Sequence, residues 1–202
     1  MGKIKDSFSD KFNISEKVWS ILEILMCCLI ALAAAYLIVT FVGQRTVVDG
    51  DSMYNTLSDG DNIIVEKLSY TFGDVERYDI IVFTHYEPAI DEEVYYIKRV
   101  IGMPGDTIQI EDGVIYLINE NGDRETMPDN YGYYYDGNIM KSGIAANPIE
   151  IPEGYYFVLG DNRNNSKDSR SSEVGLVSED AILGKAWLRF YPLEDFGLIN
   201  HR

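Results

Sequence analysis

The sequence predicts a mostly β domain behind a single N-terminal membrane-spanning helix. Three observations predict it. Nineteen consecutive residues, Ile24 to Val42, carry no charge. Beyond them, short runs rich in Val, Ile and Tyr recur between Gly, Asp and Asn. The charge divides at the same place: residues 1–43 hold four cations and four anions, so the net −16 of the 202-residue chain belongs to residues 44–202. With 46% hydrophobic and 25% charged residues, the composition is that of a globular protein with one sizeable core. An acidic chain of this kind lacks the basic face that nucleic-acid binding requires. The two cysteines, Cys27 and Cys28, are adjacent and cannot form a disulfide framework.

The apolar run comes first. As a helix it is about 28 Å long at ~1.5 Å per residue, close to the ~30 Å hydrocarbon core of a bilayer. It has no polar face, as a buried helix of a globular domain would. Ala33-Ala34-Ala35 resembles a signal-peptide cleavage site, but the run continues through Tyr36 to Val42, longer than a signal peptide's apolar stretch. The expected organisation is a cytoplasmic segment over 1–17, an anchor over 18–43 and an extracytoplasmic domain over 44–202. Lys3, Lys5, Lys11 and Lys17 precede the span and only Arg45 follows closely, which places the N-terminus in the cytoplasm of a single-pass cell-membrane protein.

In the outer domain the expected strands are Thr46–Val48, Asn62–Lys67, Asp79–Thr84, Val94–Ile101, Thr107–Ile110, Val114–Ile118, Tyr155–Leu159 and Lys185–Tyr191. Glu111-Asp112-Gly113 reads as a hairpin turn. Short helices are expected near Val75 and over Ser178–Ala181. Residues 119–148, with four glycines and the cluster Tyr131, Tyr133, Tyr134 and Tyr135, read as an inserted lobe of weak regular structure.

Common catalytic and metal sets are missing. There are two histidines: His201 is penultimate, and His85 stands beside no evident nucleophile for a Ser-His-Asp triad. The outer domain has no Cys/His cluster for a metal, and no cofactor is expected. Gly102-x-x-Gly105 lacks the lysine and helix of a phosphate loop. Two places are more informative. Ser52, flanked by turn formers in Gly50-Asp51-Ser52-Met53, lies about ten residues past the span, hence within ~35 Å of the membrane surface. Lys98 lies in Tyr95–Ile101, sharing a strand face with Tyr96 and Val100 while Arg99 points the other way. Taken alone, Lys98 reads as a solvated surface lysine.

Together these residues resemble the bacterial type I signal peptidases, membrane-bound Ser-Lys proteases that remove signal peptides from exported proteins. Four stretches occur in that family's order. The serine box, Ser-Met-x-Pro-Thr-Leu in the family, is Ser52-Met53-Tyr54-Asn55-Thr56-Leu57. A Gly-Asp and strand ending in lysine is Gly60 to Lys67. The lysine box is Lys98 to Asp106. The last box runs from Gly160-Asp161-Asn162-Arg163 to Lys167-Asp168-Ser169-Arg170. The single span and the glycine two residues before the serine resemble the Gram-positive branch. The related peptidases of the endoplasmic reticulum carry histidine where this chain has Lys98. The resemblance implies a signal-peptidase-like β catalytic domain. It implies Ser52 as nucleophile, Lys98 as general base, Ser166 as an orienting hydroxyl and the Ser52 N–H as an oxyanion donor, with Gly50 offering at most a backbone N–H beside it. Asp161, Arg99, Asp168 and Arg170 are implied as ion pairs holding the last box to the lysine strand, and Lys67 as scaffold. The implied partners are preprotein signal peptides with small residues before the cut, the lipid bilayer and, in a pilus-associated role, pilin precursors.

The resemblance sets a physical requirement. A free lysine titrates near 10.4, so a shift of about three units is needed for a useful base at pH 7; burial supplies it by disfavouring the ammonium. Asn55, where the family has proline, predicts a looser presentation of Ser52. It supports the main alternative, a pilus-assembly factor or chaperone with little general proteolytic activity. A self-cleaving repressor would carry a DNA-binding helix pair where this chain has its lipid span. An anchored adhesin would make the four ordered boxes a coincidence.

Overall fold

The computed structural model describes residues 16–37 and 43–201. The chain forms two units, residues 1–42 and 43–202. In the first, helix α1 runs over Glu16–Leu37. Its stretch Lys17–Tyr36 has a mean hydropathy of 2.3, long and apolar enough to cross a membrane. Most side chains between Lys17 and Tyr36, Cys27 and Cys28 among them, are exposed, and Trp19 Nε1 donates to Glu23 Oε1 across one turn at 2.9 Å. Lys3, Lys5, Lys11 and the end of the apolar run, residues 38–42, lie outside the described residues.

The second unit is built on strands, as the alternation requires. Its larger sheet holds β1 (Gly43–Val47), β2 (Asn62–Glu66), β3 (Ile80–Glu87), β4 (Glu92–Gly102), β9 (Tyr155–Leu159), β10 (Val177–Ser178), β11 (Ile182–Tyr191) and β12 (Gly197–Leu198). The order is β1-β2-β11-β3-β4-β9-β10, with β12 pairing β11. Every pairing in it is antiparallel. The smaller sheet holds β5 (Thr107–Glu111), β6 (Val114–Ile118), β7 (Arg124–Thr126) and β8 (Ile149–Glu150), in the order β7-β6-β5-β8. The predicted hairpin is present. Asp112 (φ 50°) and Gly113 (φ 80°) form the two-residue loop between β5 and β6, both with the positive φ that a tight hairpin turn demands.

Three apolar clusters fill the interior. One, with Ile101, Ile108, Phe157 and Leu159, lies where the two sheets meet. The second gathers Met53, Leu57, Ile63, Val65, Ile80 and Val82. The third holds Val75, Ile81, Phe83, Val100 and Val158. Gly102 sits at the end of β4 because a Cβ there would overlap Ile151 and Ile108.

Two short elements differ from expectation. The helix expected near Val75 is α2 (Ser69–Phe72), ended by Gly73, while Val75 lies outside any helix or strand and is buried in the third cluster. The turn at Glu179–Ala181 is a 3₁₀ helix. Residues 119–148 contain β7 and two 3₁₀ turns and bury Met127, Met140 and Ala145 against the small sheet.

The tail is pinned as well. His201 Nδ1 accepts the Ile80 N–H at 3.0 Å, so that nitrogen must be unprotonated. Burial and the nearby Lys185 ammonium push His201 down from 6.5 to about 4. A lowered histidine contributes stability that is complete above pH 6.5 and is lost as pH falls through about 4. Thermal melts between pH 7 and 4 should lose up to about 3 kcal/mol from this group. His201→Asn, which keeps an acceptor but cannot titrate, should flatten that part of the pH dependence.

Candidate active site

Ser52 lies in the turn that follows β1. Two buried side chains, Met53 and Leu57, root this turn in the second cluster, and neither is accessible to lipid or substrate. Thr56 and Leu57 donate their N–H groups to Met53 O at 2.9 Å, and Val48 and Gly60 close the base of the loop through backbone bonds at 2.8 and 2.9 Å. The loop thus presents Ser52 firmly although Asn55 occupies the proline position.

Lys98 comes from the buried half of β4, where its register partner on β3 is Ile81. Its Nζ lies 2.7 Å from Ser52 Oγ and 2.7 Å from Ile97 O. Only 4% of the residue is exposed. Burial lowers its pKa from 10.5 to about 8, while the charges of Asp168 and Asp161 hold it from falling farther. About a tenth of such an amine is neutral at pH 7, against well under ~0.1% for a free lysine. Ser52 and Lys98 share a cleft of about 580 Å³ with Val48, Ile63, Val82 and Ile97 on its walls.

The charged residues of the lysine box and the last box sort into two pairs. Arg99 and Asp161, both fully buried, make a two-toothed pair at 2.9 and 2.7 Å, with Thr56 Oγ1 donating to Asp161 at 2.5 Å. Arg99 also donates to Tyr78 O and stacks its guanidinium 3.8 Å over the Tyr131 ring. Asp161 thereby ties β4 to the Ser52 loop. Asp168 and Arg170 pair with one another at 2.8 and 2.7 Å, and Asp168 accepts the Gly160 N–H at 3.0 Å.

Ser166 and Gly50 differ from the implied roles. Ser166 Oγ is buried over Gly160 and makes no hydrogen bond to Lys98 or to any other described residue. The Gly50 N–H is held by Asp59 Oδ1 at 2.8 Å, so it points away from a reacting carbonyl. His85 packs on Tyr96, and neither histidine bonds Ser52 among the described residues.

Sequence reasoning missed three partners of the site. Asn162 donates its N–H to Ser52 O at 3.0 Å and its Nδ2 to Asp51 O at 3.1 Å. Arg163, buried, joins Asp129 and donates to Gly160 O at 2.6 Å. Lys167 bridges Glu87 and Glu173, and Glu87 also accepts from Tyr96 OH at 2.8 Å. The last box displayed Arg163 and Lys167 as charges, but nothing local pointed to their acidic partners.

With this geometry in place, comparison with known proteins is decisive. The family model of signal peptidase, peptidase S26, matches residues 21–191. The chain belongs to the signal peptidase family. It is a peptidase, a hydrolase of the serine class. Signal peptidase I S of Bacillus subtilis is 34% identical over 188 residues, covering 93% of this chain and 98% of that protein. Signal peptidase IB of Staphylococcus aureus is 37% identical over 179 residues, covering 83% of this chain and 90% of that protein. A crystal structure of a signal peptidase I from Enterococcus faecalis, 31% identical, covers 55% of this chain and 96% of that one with a TM-score of 0.40.

Gly160 gives this peptidase a sharp test. A Cβ there would overlap both Ser166 Oγ and the Ser52 carbonyl, and the latter cannot yield without moving the serine. Gly160→Ala should lower turnover of a peptide substrate by about 100-fold, as a ~1 Å misplacement does. The variant should still melt cooperatively, which circular dichroism will show.

Proposed function

We propose that this chain is a membrane-anchored endopeptidase that removes signal peptides from exported precursors, with Ser52 as nucleophile and Lys98 as general base. The observation that carries the reading is the 2.7 Å approach of a buried Lys98 Nζ to Ser52 Oγ. Neutral Lys98 takes the hydroxyl proton as Oγ attacks the carbonyl carbon before the cut, forming a C–O bond and an oxyanion. The Ser52 N–H, which carries no hydrogen bond among the described residues, is the first oxyanion donor. Removing such a donor typically costs about 3–4 kcal/mol. The Lys98 ammonium then returns the proton to the departing amine as the C–N bond breaks. Once neutral again, Lys98 takes a proton from the water that attacks the acyl carbon, then passes it to Ser52 Oγ as the ester C–O bond breaks, which frees the signal peptide's carboxyl end and restores the serine.

Several features support the placement and the substrate. Helix α1 supplies an anchor of spanning length, and the lysines before it favour a cytoplasmic N-terminus with the β unit outside. The apolar part of the cleft wall, Val48, Ile63, Val82 and Ile97, suits small uncharged residues at the end of a signal peptide, while Asp49, Glu87 and Lys167 line the same cleft. The reading as a pilus-assembly factor without proteolysis rested on Asn55, and the rooted Ser52 loop favours catalysis over it. The acidic pairs are positioning groups: Arg99–Asp161 and Asp168–Arg170 neutralise the carboxylates that would otherwise hold Lys98 charged.

Two measurements test the dyad. Full-length protein in detergent, given a fluorogenic signal-peptide substrate, should lose roughly 10⁴-fold or more in turnover on Ser52→Ala or Lys98→Ala while keeping its melting temperature. Because the base must be neutral, kcat/KM should rise about tenfold per pH unit below pH 7, bend near 8 and plateau above. A profile that is flat through pH 8 would overturn Lys98 as the base.

A further inference from the structure

We propose that the cavity bordered by Asp51 and Asn162 binds the precursor segment that follows the cut, with Asn162 Oδ1 accepting one of its backbone N–H groups. The proposal rests on the Ser52–Lys98 reading. A polypeptide whose carbonyl lies at Ser52 Oγ must leave the site in two directions. One direction is the cleft that already holds Ser52 and Lys98, with Val48, Ile63, Val82 and Ile97 on its walls. A second cavity, of about 910 Å³, is lined by Asp51, the neighbour of Ser52, and by Asn162, which holds the Ser52 carbonyl, together with Tyr54, Tyr133, Tyr135 and Ile139. The apolar walls of that cleft take the small residues before the cut, so the second cavity takes what comes after.

Asn162 is the built element of this cavity. It is only 6% exposed, and its Oδ1 is buried without a hydrogen-bond partner. Its orientation is fixed, because Nδ2 donates to Asp51 O at 3.1 Å and a flipped amide would set two acceptors against each other. A buried acceptor left unpaired is costly, and an extended peptide N–H satisfies it. Asn162 also holds the Ser52 carbonyl, so the acceptor lies beside the reacting residue in the chain's own bonding pattern. Around it the rim is mixed: Tyr54, Tyr133, Tyr135 and Ile139 offer apolar surface, while Asn138, Lys141, Asn164 and Asn165 add polar groups. Tyr135 is 60% and Ile139 67% exposed, and Tyr54 meets Tyr133 edge-to-face at 4.9 Å. Those surfaces suit aromatic or aliphatic side chains just after the cut.

The test uses full-length protein in detergent and peptide substrates that share one signal segment. First, each amide from the second to the fourth position after the cut is replaced by an ester, which removes one N–H at a time. One such ester should lower kcat/KM about tenfold, the worth of one hydrogen bond; equal rates for all three esters would overturn the role of Asn162. Second, a substrate with Tyr and Leu after the cut should exceed one with Gly and Ser there by about tenfold in kcat/KM. In the double variant Tyr135→Ser with Ile139→Ser that ratio should collapse toward one. An unchanged ratio in the double variant, or none in wild type, would overturn the rim assignment. Ser52→Ala run on the same substrates separates the two levels: persistent cleavage would overturn the dyad and this proposal with it, whereas its loss alongside flat ester and side-chain series would overturn this proposal alone.

Discussion

The buried pair of Arg99 and Asp161 is the constraint on which the rest depends. It joins two elements that the chain separates by 62 residues, with neither side chain exposed to water. The residue before Arg99 is Lys98, and the residue after Asp161 is Asn162, which holds the Ser52 carbonyl. Thr56 adds the serine loop to the same carboxylate. One ion pair thus sets the spacing of an amine and a hydroxyl that never bond to it. Its value lies less in net stability than in register. Burying two charges consumes most of what their attraction returns, whereas leaving either one alone costs about 3–5 kcal/mol.

The same arrangement resolves an electrostatic conflict. As the proposed base Lys98 needs a dry environment to shed its proton, yet Asp161 and Asp168 lie near enough for their charges to favour the ammonium. Each carboxylate is met by its own guanidinium, Arg99 for one and Arg170 for the other. Desolvation then outweighs the residual attraction, and the amine stays near 8 rather than at its ordinary value. The negative charge of residues 44–202 is in this way kept from reaching the amine proposed as the base.

Much of this was legible in the residues. The alternation of Val94–Ile101 and the Asp112-Gly113 turn gave strands and hairpin because period two and positive φ are local properties. Lys98 was different: a lysine inside a strand is ambiguous until four ordered motifs give it a context. The helix expected at Val75 formed earlier in the chain because Val75 had a better use, filling a gap against Ile81 and Phe83. Residues 119–148 hid their order because Met127, Met140 and Ala145 follow no period. The Arg163–Asp129 and Lys167–Glu87 pairs, 34 and 80 residues apart, depend on tertiary closure that no local signal encodes.

The tail carries a consequence for anyone handling the protein. His201 offers its carbonyl to Arg99 at 3.4 Å while its ring secures the first residue of β3. Clipping of the last few residues by a contaminating exopeptidase would therefore withdraw support from the guanidinium that orders the whole centre. A preparation shortened at that end should be judged by mass before its specific activity is compared with an intact one.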